Sequence, residues 1–154
     1  MPSEPRAPAP VRREVSTADA IRAAAFRSAL RSFLRRSEEI ARSNGLTPRR
    51  HLLLLLIKGA PDGKERATIT DLARRMQLAQ TTVTELVKRA VEAGLLARQR
   101  SSTDARVVYL CLTEEGERRL ARVFRSHQAE RQKLRAILAE LDATASERRT
   151  ARRR

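Results

Sequence analysis

Apolar residues recur every three or four positions over most of the chain, which predicts a mostly helical protein. The first helical stretch covers about residues 17–43 and ends at Asn44-Gly45, a typical C-terminal stop. A second helix has Pro48 at its first position and contains the apolar run Leu52–Ile57. Because this run is apolar around most of the helix circumference, we expect a central, buried helix.

Two short helices joined by a tight turn come next in the pattern. A β-branched segment, residues 67–70, leads into a helix over residues 71–76, for which Thr70 is the predicted N-cap. A three-residue link precedes a helix over residues 80–93, which Gly94 ends. One side of this helix carries an apolar stripe formed by Val83, Leu86, Val87, Ala90 and Val91. The pair of helices predicts a helix-turn-helix.

The period then changes to that of a β-hairpin. Residues 95–100 and 106–112 are predicted strands on either side of a polar turn over residues 101–105. Alternating residues of the second strand are expected to face the core together, namely Val108, Leu110 and Leu112. A last helical pattern over about residues 114–143, continuous or broken into a pair, completes the chain. The predicted fold class is mostly α with a small α+β part, a winged helix-turn-helix.

Composition excludes several classes of protein. A chain of 154 residues suits one domain, and its single cysteine, Cys111, excludes a disulfide scaffold. No apolar run is long enough for a membrane span and no signal peptide is visible, so we expect a cytoplasmic protein. The two histidines, His51 and His127, offer no metal-ligand spacing. With neither a nucleophile beside a base nor a phosphate loop, we expect no enzyme, no metal and no cofactor.

The charge indicates an acidic partner. The formal net charge is +15, of which the first 16 and last 10 residues account for only +5, so the body of the chain is basic. This is the electrostatic footprint of nucleic-acid binding, although 29 arginines can also reflect a GC-rich genome. Residues 71–106 carry only +3, so the charge predicts long-range attraction to DNA rather than specific reading.

Five stretches, taken in chain order over about residues 17–142, resemble the MarR family (multiple antibiotic resistance regulators) of winged-helix transcription factors. The most specific is Asp104-Ala105-Arg106 followed after five residues by Leu112-Thr113, which is similar to the family's wing signature. The others are Leu46-Thr47-Pro48, Ile69–Ala73, Thr81–Arg89 and Glu92–Arg98. The resemblance implies a MarR-type domain over residues 17–144, with a DNA-binding lobe at about 62–112 and dimerisation helices at about 17–43 and 114–143.

The resemblance also implies which residues contact DNA. From the second short helix these are Gln80, Thr81, Thr82, Thr84, Glu85, Lys88 and Arg89, and from the wing they are Arg100, Ser101, Ser102, Asp104 and Arg106. Asp104 would hold the Arg106 guanidinium in place for the minor groove, or the two would form only a turn-stabilising ion pair. Glu85 would accept from a cytosine amine or pair with Arg89.

Further expectations concern the dimer and an effector. The resemblance implies a homodimer whose interface includes Ile21, Phe26, Leu30, Leu134, Ile137, Leu138 and Leu141. Phe26 and His51 are candidates for a pocket that takes a small aromatic or anionic effector. The alternative for His51 is a capping or core histidine, and for Cys111 a half-buried small residue rather than a redox sensor.

The leading hypothesis is a ligand-responsive, homodimeric repressor that is associated with the nucleoid and binds a pseudo-palindromic duplex operator. A low-specificity architectural DNA-binding protein and a winged-helix protein-interaction module are the alternatives. Residues 1–16, with four prolines, are a predicted disordered arm. Residues 145–154 are a predicted basic tail that either contacts phosphates or remains a solvated end.

Overall fold

The computed structural model describes residues 15–151, with side chains described as far as Leu141. Most of the predicted arm and the last three residues of the basic tail lie outside the described residues. The described elements follow in the order α1 (Thr17–Ser43), α2 (Pro48–Lys58), β1 (Arg66–Ala67), α3 (Ile69–Met76), α4 (Gln80–Glu92), β2 (Leu96–Arg100), β3 (Val108–Leu112), α5 (Glu114–Ser126) and α6 (Gln128–Ala151). The predicted winged helix-turn-helix is confirmed.

A small antiparallel sheet holds the wing to the helices. Its strand order is β1-β3-β2, so β3 lies in the middle. Leu110 of β3 pairs with Ala67 of β1 and with Arg98 of β2. The hairpin of β2 and β3 is the predicted one, whereas the predicted β-branched segment contributes only Ala67 to the sheet, beside Arg66.

The core is formed where α2 meets α3, α4 and the sheet. Leu53, Leu54 and Ile57 of α2 are fully buried there, together with Val83 and Val87 of α4. The prediction of a wholly buried α2 is wrong on one side of the helix. Leu52 and Leu55 remain exposed because α2 borders a cavity on that side instead of a packed neighbour.

The alternation of β3 extends beyond the core. Leu110 is buried and Leu112 is half-buried, but Val108 is exposed, which contradicts the prediction that all three face the core. Val108 pairs with Arg100 at the far end of the hairpin, where the wing projects past the helices. The side chains of β3 alternate between the two faces as predicted, but the core covers only part of the strand.

The start of α3 differs from the prediction by two residues. The N-cap is Thr68, whose extended backbone precedes the helix and whose Oγ1 accepts a hydrogen bond from the Asp71 backbone N–H at 3.2 Å. The same hydroxyl donates to Asp71 Oδ2 at 2.9 Å. Thr70, the predicted cap, lies inside the helix. A threonine three residues before a carboxylate has the spacing of a capping box, and this spacing decides between the two.

The C-terminal helical pattern is a broken pair. His127 separates α5 from α6, and α6 returns along α1. The backbone of α6 is helical to Ala151, so the helix continues beyond Ala143, where the apolar pattern ends. The predicted basic tail therefore begins inside a helix.

The beginning of α5 is tied closely to the wing. Thr113 caps α5 and also donates its hydroxyl hydrogen to the Gly94 carbonyl at 2.6 Å. A Cβ at Gly116 would stand 2.2 Å from the backbone oxygen of Leu95, so only glycine allows this approach. The wing and α5 are consequently joined through backbone contacts.

We predict that Thr68→Ala lowers the free energy of unfolding by about 1 kcal/mol, because the Asp71 N–H loses its side-chain partner. Thr70→Ala is the matched control and should change it by less than about 0.5 kcal/mol, since its hydroxyl does not cap the helix. Urea denaturation of the two variants measures the difference. Equal losses would contradict the assignment of Thr68 as the cap.

Candidate DNA-binding surface

The helix α4 presents one polar side to solvent. All seven α4 residues predicted to contact DNA are exposed, while Val83, Val87 and Ala90 on the other side are fully buried. Because side chains three and four positions apart share a face, burying this stripe turns Thr81, Glu85 and Lys88 outward. An α-helix fits the major groove of B-form DNA, so α4 has the shape and the exposed donors for base contacts.

Two local features of α4 bear on its polar groups. Thr84 donates its hydroxyl hydrogen to the Gln80 carbonyl at 2.8 Å, so this oxygen is left as an acceptor only. The N-cap Ala79 offers no side-chain hydrogen bond, so the first N–H groups of α4 are not satisfied by its cap. Glu85 and Arg89 form no ion pair within 4 Å in the described part of the chain, which contradicts the helix-pair alternative for Glu85.

The tip of the wing is an ordered turn built on short polar side chains. Ser101 Oγ accepts hydrogen bonds from the backbone N–H groups of Thr103 and Asp104 at 3.2 and 3.3 Å. Asp104 Oδ1 accepts from the Arg106 backbone N–H at 3.0 Å. Ser101 is half-buried, and its hydroxyl supports the turn.

The role predicted for Asp104 is corrected by this geometry. Its carboxylate bonds the backbone of Arg106 and not the guanidinium, and no ion pair joins the two side chains. The Arg106 side chain is exposed, and within the described residues its guanidinium has no hydrogen-bond partner. Asp104 therefore shapes the turn, while Arg106 remains available to a partner outside the chain. Arg100 and Ser102 are also exposed beside it.

A separate cavity of about 400 Å³ lies between α1, α2, α5 and the start of α6. Its wall combines apolar and basic side chains, among them Phe33, Leu52, His51, Arg49 and Arg131. Phe26 is not in this wall but in a groove nearer the beginning of α1, so the prediction that Phe26 and His51 share a pocket is wrong. Phe26 lies on α1 and His51 on α2. Whether two such residues meet depends on how the two helices pack, which the sequence alone does not give.

Both histidines are buried next to this cavity. Their rings meet edge-on with centroids 5.1 Å apart, and His127 Nε2 lies 3.3 Å from the Ser37 carbonyl oxygen. Burial, with a smaller contribution from His127, lowers the pKa of His51 to about 4. Burial also lowers the pKa of His127, against the opposing effect of the Ser37 carbonyl. His51 is thus both a core histidine and a wall of the cavity, so its two predicted positions coexist.

Two other predicted features are placed by the structure. Cys111 is half-buried in β3, with its thiol 3.5 Å from Gln99 Oε1. Among the described residues no three His, Cys, Asp or Glu side chains converge where they could hold a metal ion. None of the helices within residues 15–151 is long and apolar enough to cross a membrane.

The tight link between α3 and α4, the outward polar side of α4 and the hairpin that follows define a winged helix-turn-helix protein. Residues 44–107 match the sequence model described as the MarR family. Over these residues the match confirms the resemblance predicted from the motifs.

Known proteins are similar to this chain in part of the sequence and in the fold. Over 78 residues the chain is 35% identical to the transcriptional regulator AdcR of Streptococcus pneumoniae, a match that spans 51% of this chain and 47% of that protein, about half the length of each. A MarR family protein from Bacillus stearothermophilus superposes with a TM-score of 0.67 at 25% identity, covering 91% of this chain and 94% of that one. A point mutant of S. aureus MepR, solved bound to an oligodeoxyribonucleotide, superposes with a TM-score of 0.60 at 15% identity, over 90% of this chain and 99% of that one.

The buried histidines predict an acid-sensitive fold. In the unfolded chain His51 takes up a proton near pH 6.5, and in the folded chain only near pH 4. Above pH 6.5 the His51 ring is neutral in both states and does not affect the pH dependence of stability. As the pH falls from 6.5 to 4, the unfolded chain binds a proton at His51 that the folded chain does not, which favours unfolding by on the order of 2 kcal/mol. The free energy of unfolding of His51→Gln should fall less over this interval than that of the wild type. Parallel pH curves would contradict this prediction.

Proposed function

We propose that the protein is a sequence-specific transcriptional regulator, without catalytic activity of its own, that binds duplex DNA as a homodimer in the cytoplasm. The observation that carries the proposal is the outward polar side of α4 beside an ordered wing, whose Arg106 guanidinium has no partner among the described residues. The DNA-bound MepR mutant supports the choice of partner, because its chain has the same fold. The chain contains one Tyr and three Phe, too few for a platform that stacks single-stranded bases.

In the proposed complex α4 lies in the major groove. Thr81 and Lys88 on its outward side donate to base edges or phosphates, and Gln80 and Thr82 extend the polar surface at its beginning. Arg106 reaches from the wing to the minor groove or its phosphates. Glu85, which forms no ion pair with Arg89, accepts from a cytosine amine.

The homodimer is supported by apolar residues that the single chain leaves exposed. Phe26, Leu30 and Leu34, spaced four residues apart, form a stripe along α1, and Ile21 is exposed nearer its beginning. A second copy would cover this stripe.

The four α6 residues predicted at the dimer interface do not all lie in the same environment. Leu134 and Ile137 line a groove against α1 of the same chain, where Leu134 is half-buried and Ile137 stays exposed. Leu141 is half-buried further along the same helix, and Leu138 belongs to the same apolar pattern. We therefore assign α1 the larger share of the proposed interface.

The cavity beside His51 is the proposed site for an effector. Apolar walls with Arg49 and Arg131 at the rim suit a small aromatic anion. The cavity is lined by α1 and α2, and α2 packs against α3 and α4 of the DNA-binding lobe. An effector that binds better when the two α4 helices of a dimer are misaligned would shift the population away from the DNA-binding state.

For Arg106→Ala we predict that operator binding weakens by roughly 1–3 kcal/mol while the dimer stays folded, because the wing loses an unpaired guanidinium. Titration of a cognate operator measures the loss. Arg122→Ala removes an equal charge from the exposed surface of α5 and is the control. If the two variants bound alike, the wing would not contact DNA.

The dimer is tested by Leu30→Glu. A carboxylate in the apolar stripe of α1 should convert the dimer to monomer, because pairing would bury an unpartnered charge. Ala24→Glu adds the same charge about 120° away around the helix and should leave the dimer intact. Sedimentation equilibrium distinguishes the two. A dimer that survived Leu30→Glu would show that this stripe lies outside the interface.

A further inference from the structure

A second cleft, of about 760 Å³, borders one flank of α4, between its buried stripe and its outward side. It lies between α4, the first turn of α2 and the last turns of α1. Six charged side chains line it, namely Glu38, Arg42, Arg49, Arg50, Glu85 and Arg89. We refer to these six residues as the arginine cleft. None of the predicted DNA-contact residues belongs to α1 or α2, so Glu38, Arg42 and Arg50 have no assigned role, while Arg49 also lines the cavity beside His51.

The charges of the arginine cleft do not cancel one another. Arg42 donates to Glu38 at 3.2 Å, so these two side chains compensate. Within the part of the chain that the structure describes, Arg49, Arg50 and Arg89 have no carboxylate within 4 Å, and Glu85 has no cation. The cleft therefore has a local positive excess without an internal partner, which is complementary to a polyanion.

The positions of Arg49 and Arg50 are unfavourable for the helix that carries them. Both lie in the first turn of α2, which contains no acidic residue, whereas α1, α3 and α5 each have a carboxylate there. The positive end of a helix dipole favours anions and disfavours cations. Two arginines at this place do not stabilise the helix by themselves, whereas an anion bound beside them would be favoured both by their charge and by the helix dipole.

The arginine cleft is also continuous with the proposed DNA surface. Glu85 and Arg89 belong to both, and Thr82, one turn earlier, lines the cleft as well. In a helix lying in the major groove, the outward residues face bases and the residues on its sides face the phosphates along the groove. Arg49 and Arg50 extend that side beyond α4 itself.

From charge complementarity and this continuity we infer that the arginine cleft holds the DNA backbone, with Arg49 and Arg50 contacting phosphates beside the groove that α4 occupies. The inference rests on the proposed DNA-binding function and extends it to the first turn of α2. Phosphate contacts of this kind position the protein and add affinity without reading sequence.

The test is the double variant Arg49→Ala with Arg50→Ala, in the full chain, against a duplex selected by the wild-type protein and against a random duplex. Each lost phosphate contact reduces the steepness of log K against log salt by about 0.9. The two copies of the proposed dimer together lose four such contacts, so a decrease of about 3.6 is expected. Both duplexes should weaken by the same factor, leaving the specificity ratio unchanged. The melting temperature should stay the same or rise, because two cations that the helix dipole disfavours are removed.

The matched control is Arg122→Ala with Arg125→Ala, which removes two exposed arginines from α5 and should retain the wild-type salt slope. A wild-type slope in the cleft variant would overturn the inference while leaving the proposed function in place. So would an unchanged DNA titration combined with lost stabilisation by inorganic phosphate, since the cleft would then serve a small anion. Failure of the wild-type protein to bind any duplex would overturn the function and the inference together.

Discussion

The burial of one side of α4 is the constraint on which the rest of the molecule depends. Val83, Val87 and Ala90 are fully buried where α4 packs against α2, α3 and β2. Because of the helical period, the polar side of α4 then faces the solvent. A shift of one residue in this packing would bury Thr84 and expose Val83. The same apolar contacts that stabilise the fold therefore determine which side chains face the DNA in the proposed complex.

Two sets of close contacts connect this helix-turn-helix to the rest of the chain. The Arg75 guanidinium on α3 donates to the carbonyls of Leu56 and Gly59 at 2.7 and 3.0 Å and so satisfies the end of α2. On the other side, the approach of Gly116 to Leu95 joins the wing to α5. Because α2 and α5 also border the cavity beside His51, an occupant there and a DNA partner would act on the same elements. This shared framework is the physical basis for the proposed coupling of an effector to DNA binding.

Much of the fold can be predicted because its signals are local. The period of the apolar residues predicts α1, α4 and the wing hairpin, and the stripe of α4 leaves its polar residues on the outside. The errors arise where the position or the partner of a side chain depends on contacts with other parts of the fold. Val108 alternates correctly but lies beyond the core, and Asp104 satisfies a backbone N–H instead of a guanidinium. Phe26 and His51 share no pocket, because the packing of α1 on α2 separates them. The N-cap of α3 is a different case, because the three-residue spacing between Thr68 and Asp71 would have identified Thr68 from the sequence alone.

The arginine cleft escapes sequence-based prediction for a related reason. Arginine is so frequent in this chain that Arg49 and Arg50 do not stand out, and only the packing of α2 beside α4 gives them a common surface with Arg89.

The central claim, that the protein reads a specific duplex, is tested most directly by selecting bound sequences from a random pool and then measuring competition by random DNA. The account predicts a pseudo-palindromic site that is bound at least about 10³-fold more tightly than random duplex. A ratio below about tenfold would contradict it and would indicate an architectural DNA-binding protein.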